Sequence, residues 1–294
     1  MIILNEREYA ETCINTGDVG ENVYITLQIL AKYYYEQGMR TKRIEKALLE
    51  FLKENYKRYH ANILKWQETV ERISRRAGKY PLYDISEILI TQAEIDTINS
   101  IEESNGRTEL KRLAFTILCL AKLANKRNVK NNGWVNEDAK DIFKMAHISA
   151  SKLKQYQMLG DLGLLGLLEF PKKNDNLSNR VTFVNDDSPY VISISDFREL
   201  GYEYLNYAHG GYVRCASCGR LIKNNKAKTK KYCSECAGYQ TWDTKTIICV
   251  DCGKTFDVDA KNNQTNRCNN CYDKYRRNKI RENVQNYRSK SISM

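Results

Sequence analysis

Apolar positions recur at helical spacing through most of the chain up to about residue 209. From Tyr24 onward, Ile25, Leu27, Ile29, Leu30, Tyr33 and Tyr34 form a broad apolar face that ends near Gly38. Thr41 is placed to cap a second helix carrying Ile44, Leu48, Leu49, Phe51, Leu52 and Tyr56. A third starts near Asn62, with Ile63, Trp66, Val70 and Ile73 on one face, and breaks at Pro81. Residues 1–20 show no such period and read as an irregular lead-in. Trp66 and the run Tyr33-Tyr34-Tyr35 suit a ligand cage, but aromatic residues at this spacing more often fill a core.

Period changes mark the next stretch. Ile88-Leu89-Ile90 reads as a short strand, and Thr91 with Glu94 makes a capping box for a short helix. Polar residues 102–108 read as a linker. Leu110 to Leu123 is a strongly apolar helix, with Cys119 as a small buried hydrophobe. Asn132-Gly133 is a turn before a strand-like Trp134-Val135. Asn136 is placed to cap a helix through about Ala146, and Ser149 or Ser151 the next helix, which carries Leu153, Tyr156, Leu159 and Leu162. A polar loop from Pro171 to Asn179 leads into the β-like run Arg180-Val-Thr-Phe-Val184. Tyr190 to Ile194 alternates like a strand, Asp196 is placed to cap a helix to about Tyr207, and His209-Gly210-Gly211 reads as a hinge.

The order helix, helix, helix, hairpin between Leu110 and Val184 resembles a winged helix-turn-helix, most specifically in its Leu-x-x-Leu-Gly-Leu-Leu helix end. Together with a tail of four Cys-x-x-Cys pairs, Cys215/Cys218, Cys233/Cys236, Cys249/Cys252 and Cys268/Cys271, the whole chain resembles phage- and prophage-borne zinc-ribbon proteins. That resemblance implies mobile-element biology and brings no catalytic residues. The winged-helix resemblance assigns roles within the middle block. Lys152, Lys154, Gln155 and Gln157 point outward from the third helix, where Lys suits guanine and Gln suits adenine edges. Lys172, Lys173, Asn174 and Arg180 are placed for wing contacts to phosphate.

The tail breaks the helical pattern with eight cysteines in four Cys-x-x-Cys pairs, Cys215/Cys218, Cys233/Cys236, Cys249/Cys252 and Cys268/Cys271. Fourteen residues separate the first two pairs and fifteen the last two. Each pair puts two thiolates on one turn, and a second pair closes a tetrahedron around Zn²⁺, so two zinc ions are expected. Gly219 and Gly253 follow second cysteines, where the turn needs positive φ. Near-equal spacing favours sequential sites, although a cross-brace uses the same eight ligands.

Charge segregates in the same place. Residues 1–105 carry net −3, residues 106–209 net +3, and residues 210–294 net +11. The tail's cations fall in two runs. Lys223, Lys226, Lys228, Lys230 and Lys231 form a lysine arm between the first two pairs. Lys274, Arg276, Arg277, Lys279, Arg281 and Arg288 follow the last pair in helix-forming sequence. Tyr212 and Tyr232 flank ligand pairs, to stack on bases or to pack on the zinc core. A basic zinc module is the electrostatic footprint of a nucleic-acid partner.

These readings set a mainly α fold in three domains: a helical bundle (1–105), a winged-helix-like α+β domain (106–209), and tandem four-cysteine zinc ribbons with a basic C-terminal helix (210–294). The chain shows no secretory leader and no apolar run of membrane length, so a soluble, cytoplasmic protein is expected. It has no phosphate-loop or dinucleotide-binding motif, and its three histidines, His60, His147 and His209, are far apart. A non-enzymatic nucleic-acid-binding role follows, with duplex DNA favoured over RNA. The alternative is a phage-type factor that occupies a host enzyme or defence complex.

Overall fold

The computed structural model describes residues 2–102, 108–171, 178–225, 227, 229–237, 244–259 and 265–292. It divides into two compact units, Met1–Arg214 with Gly219–Thr229, and Cys215–Cys218 with Lys230–Met294.

In the first unit, α1 (Glu6–Thr16), α2 (Val23–Glu36), α3 (Thr41–Asn55) and α4 (Ile63–Ser74) surround one apolar core. The helix α1 replaces the expected irregular lead-in. Its apolar signal is weak because it buries only Glu6, Ala10 and Cys13, but Asn5 caps it and Gly17 ends it at φ +71°. Glu6 is tied down by Lys32 at 2.8 Å and by the Tyr83 amide. The core takes Leu27, Leu30, Ile44, Leu48, Leu52 and Val70, which are fully buried. Trp66 packs edge-on against Tyr56 at 5.3 Å beside that core rather than in a ligand cage.

The second core is built on α6 (Glu109–Arg127), whose residues Leu113 to Leu123 are all buried. Around it lie β1 (Ile88–Thr91), α5 (Gln92–Asn99), β2 (Trp134–Val135), α7 (Ala139–Met145), α8 (Lys152–Leu164), β3 (Leu168–Glu169), β4 (Asn179–Val181), β5 (Tyr190–Ile194) and α9 (Leu200–His209). Each fully buried Leu or Ile here contributes roughly 1.5–3 kcal/mol of transfer free energy. Strands β2, β4 and β3 form an antiparallel sheet in that order, beside α7 and α8 in sequence. Strand β1 pairs antiparallel with β5, joining chain positions some hundred residues apart through Ile88↔Ile194 and Ile90↔Ile192. The capping box at α5 is present, and it is part of a buried network. Glu94 is fully buried, yet it accepts from the Thr91 and Asn185 amides and pairs with Lys122 at 2.8 Å. Such a carboxylate is tolerated because a cation and two backbone amides are aimed at it.

Three caps differ from expectation. Thr41 is the first residue of α3, and the cap position is Arg40, with no side-chain cap. The α7 cap position is Asp138, also without a side-chain cap, and Asn136 instead accepts from Ser178. Asp196 binds the amide and guanidinium of Arg198, and α9 starts from Glu199. After α9, Gly210 and Gly211 adopt positive φ and turn the chain into the hairpin β6 (Tyr212–Arg214) and β7 (Leu221–Lys223). Arg214 pairs with Glu203 at 2.9 Å, which holds this hairpin on α9.

In the second unit, β8 (Thr244–Ile248) and β9 (Thr255–Asp259) form a hairpin in register Ile247↔Phe256. The unit ends in the long helix α10 (Asn269–Ile292). Among the described residues, no helix is long and apolar enough to cross a membrane.

Candidate metal centres and nucleic-acid interface

The eight cysteines gather into two groups, Cys215, Cys218, Cys233 and Cys236, and Cys249, Cys252, Cys268 and Cys271. Pairing is therefore sequential, and the cross-brace alternative is not the arrangement formed. In each group all four sulfur atoms lie within 4.8 Å of one another. The Cys218–Cys233 and Cys252–Cys268 sulfur separations are both 3.8 Å. A tetrahedron with Zn–S bonds of about 2.3 Å has edges of about 3.8 Å, whereas a disulfide needs about 2.0 Å. The geometry fits a zinc ion and excludes a bridge between those pairs.

Local backbone geometry explains how each turn presents its thiols. Gly219 (φ +71°) and Gly253 (φ +68°) sit in the left-handed region, as their place after Cys218 and Cys252 requires. A Cβ at either would meet nothing, so the requirement is conformational. Backbone amides then point at sulfur: Cys233 to Cys215 and Cys236 to Cys233 at 3.3 Å, and Cys268 to Cys249 at 3.4 Å. Amides of Cys218 and Cys233 push the Cys215 thiol down to about 6. The Cys268 amide, with those of Asp251 and Cys252, does the same for Cys249, also to about 6. Within the same groups, the thiols of Cys252 and Cys268 push Cys271 up to about 12. At Cys236 a Ser217 contact acts downward, but Cys233 and Cys218 outweigh it, and that thiol also rises to about 12. Four thiolates this close repel one another, and a bound dication removes the conflict. Four sulfur donors per site are the ligand set of a structural zinc centre.

The second centre also starts a helix. Cys271 lies in the first turn of α10, and the Tyr272 amide bonds the Cys268 carbonyl at 2.8 Å. Arg267 reinforces the junction, pairing with Asp251 at 2.8 Å and lying over the Tyr275 ring at 4.3 Å. Lys274, Arg276, Arg277, Lys279 and Arg281 are all exposed on α10. Lys274, Arg277 and Arg281 fall on one side at i, i+3 and i+7, with Arg276 and Lys279 on the other. Lys279 is 3.5 Å from Glu282. The side chain of Arg288 lies outside the described residues.

The remaining expected contact residues are scattered. Lys223, Lys230 and Lys231 are exposed, whereas Lys226 and Lys228 lie outside the described residues. Tyr232 is exposed, but Tyr212 packs against Tyr202 at 4.9 Å. On α8, Lys152, Lys154 and Gln157 are exposed. Lys152 lies over the Tyr156 ring at 5.9 Å, and the Gln155 amide donates to the Ala150 carbonyl at 3.0 Å. Arg180 is engaged within its own sheet, with Glu169 at 2.8 Å and the Asn132 carbonyl at 3.0 Å. Lys172, Lys173 and Asn174 lie outside the described residues.

One cluster escaped sequence reading. His147 has positive φ (54°), contacts the Glu199 carboxylate through Nε2, and stacks on Tyr202 at 3.7 Å. Burial, then the guanidinium groups of Arg112 and Arg220, push its pKa down to about 4. The ring is neutral at pH 7 and serves as a packed hydrogen-bond donor.

Family models, curated proteins and solved structures all fail to match this chain. The functional reading therefore rests on its own chemistry.

Proposed function

We propose that this is a non-enzymatic nucleic-acid-binding protein whose tail binds the phosphate backbone on a scaffold of two structural zinc ions. The observation that carries the reading is the coincidence of charge and scaffold. Residues 210–294 hold net +11, and both four-cysteine groups and the exposed cations of α10 lie within them. Zinc fixes the thiols, the second site fixes the start of α10, and the helix carries the exposed cations Lys274, Arg276, Arg277, Lys279 and Arg281 along about 10 Å of its length at 1.5 Å per residue. Attraction of this kind is sequence-independent and weakens with salt.

The order α6, β2, α7, α8, β3, β4, with the strands in one small sheet, supports the winged-helix reading of the middle of the chain. Fold alone does not fix function. Duplex DNA is the favoured ligand and RNA the second, because closed zinc ribbons and lysine arms suit either backbone. A role in regulation or replication of a mobile element is the biological setting this reading implies.

The test is equilibrium binding of the zinc-loaded chain to duplex DNA, single-stranded DNA and RNA across a salt series. Binding that falls steeply with salt is expected, tightest to duplex DNA. No binding at low salt, or affinity indifferent to salt, overturns the reading. A stoichiometric protein partner captured after nuclease treatment would instead favour a factor that occupies a host complex.

A further inference from the structure

The helix α8 is apolar on two opposite sides. Met158, Leu159 and Leu162 are buried in the second core. Directly opposite, Leu153 is 70% exposed, Tyr156 44% and Leu164 90%. Together with Gly160 these residues follow one another at i, i+3, i+7 and i+11, so they form a continuous line along the solvent face. Gly160 lies within that line, and a Cβ there would meet nothing within 4 Å. Glycine in a helix interior costs about 1 kcal/mol relative to alanine. Gly163 differs, because the Phe170 ring fills the space beside it. Among the described residues no neighbour requires the glycine at 160; a closely approaching helix would.

Charge indicates which helix. Lys154 and Asp161 are seven residues apart, so they lie on the same flank of the apolar line. If two copies of α8 pack antiparallel about a two-fold axis, the same flank of each faces the other. Centring the dyad on the apolar line puts Leu153 opposite Leu164 of the second copy. Lys154 of one copy then falls within about one turn of Asp161 of the other, at 1.5 Å per residue. The symmetry makes that contact twice, as an isologous interface requires.

We propose that α8 is a homodimerisation surface, occupied by α8 of a second copy in antiparallel register. The contact is one helix of 13 residues from each protomer, or about 20 Å. An interface of that size lies at the low end of the specific range, so the dimer is expected to be weak, with Kd in roughly the micromolar range. The inference does not depend on the nucleic-acid reading.

The test is sedimentation velocity of the zinc-loaded full chain over a concentration series. Wild type should shift from monomer to dimer. Leu164→Glu places a charge on an exposed position, leaves the circular-dichroism spectrum unchanged and should hold the chain monomeric. Lys154→Glu and Asp161→Lys should each weaken the dimer about tenfold or more, and the double exchange should restore it. Restoration separates a cross-protomer pair from a general loss of fold. Gly160→Ala should raise thermal stability while weakening the dimer. A wild-type chain that stays monomeric, or a Leu164→Glu dimer as tight as wild type, overturns the proposal. So does a monomeric wild type whose duplex binding is weakened by Leu164→Glu, because that places α8 against nucleic acid.

Discussion

Neutralising one side of α10 offers a quantitative check on phosphate binding. Lys274, Arg277 and Arg281 are exposed and lie along one side of a helix 24 residues long. The perturbation is Lys274→Gln, Arg277→Gln and Arg281→Gln together, which removes three charges and retains helix-forming side chains. Each phosphate neutralised adds about −0.9 to the slope of log affinity against log salt for duplex DNA. If all three cations contact phosphate, the slope becomes shallower by about 2.7. Over a fourfold rise in salt, wild type then loses about 40-fold more affinity than the variant. Fluorescence anisotropy with a labelled duplex reads this directly. The control is Lys42→Gln, Lys46→Gln and Lys53→Gln on α3, which removes the same charge from exposed positions of the first unit. An unchanged slope in the α10 variant, or an equal change in the control, would refute a phosphate-binding role for this helix.

Three further outcomes follow from the geometry. Removing zinc with a strong chelator should melt α10, because the helix is anchored at Cys268 and Cys271 and isolated helices are marginal in water. Circular dichroism should lose helix equivalent to about 24 of 294 residues, roughly 8% of the chain, and recover it on zinc addition. Lys122→Met leaves the fully buried Glu94 carboxylate without its cation, so chemical denaturation should show a loss of about 3–5 kcal/mol, partly recovered by adding Glu94→Gln. His147 has a folded pKa of about 4, below its ordinary 6.5, so the unfolded chain binds the extra proton between these values. Its contribution is full above pH 6.5 and is lost as pH falls toward 4. His147→Asn, which tolerates the left-handed backbone, should lose less stability than wild type across that window.

Local chemistry was the legible part of the sequence. Cys-x-x-Cys spacing and the following Gly219 and Gly253 specify turns of a few residues, and the positive φ values match. The capping box at Thr91 and Glu94 is equally local. The burial of Glu94 against Lys122 was not legible, since those residues are 28 positions apart and meet only when α5 packs on α6. Pairing of β1 with β5 is hidden for the same reason. The helix α1 was missed because its inward side is mostly polar or small. On α8 the period itself misleads. Leu153, Tyr156, Leu159 and Leu162 read as one set, yet the structure buries the last two and exposes the first two. A helix with apolar residues on opposite sides has no unique inward face in sequence, and here only packing decides. The expected nucleic-acid contacts suffer similarly, because Gln155, expected to read bases, and Arg180, expected to meet phosphate, have partners within the chain that no spacing rule supplies.

The central claim is that the eight tail cysteines form two closed, all-sulfur zinc centres. Zinc K-edge X-ray absorption on metal-quantified protein, purified under reducing conditions, tests it most directly. The expected result is two zinc ions per chain, each with four sulfur neighbours at about 2.3 Å and a shell unchanged by added nucleic acid. A chain without zinc, or a shell containing nitrogen or oxygen donors, would contradict it.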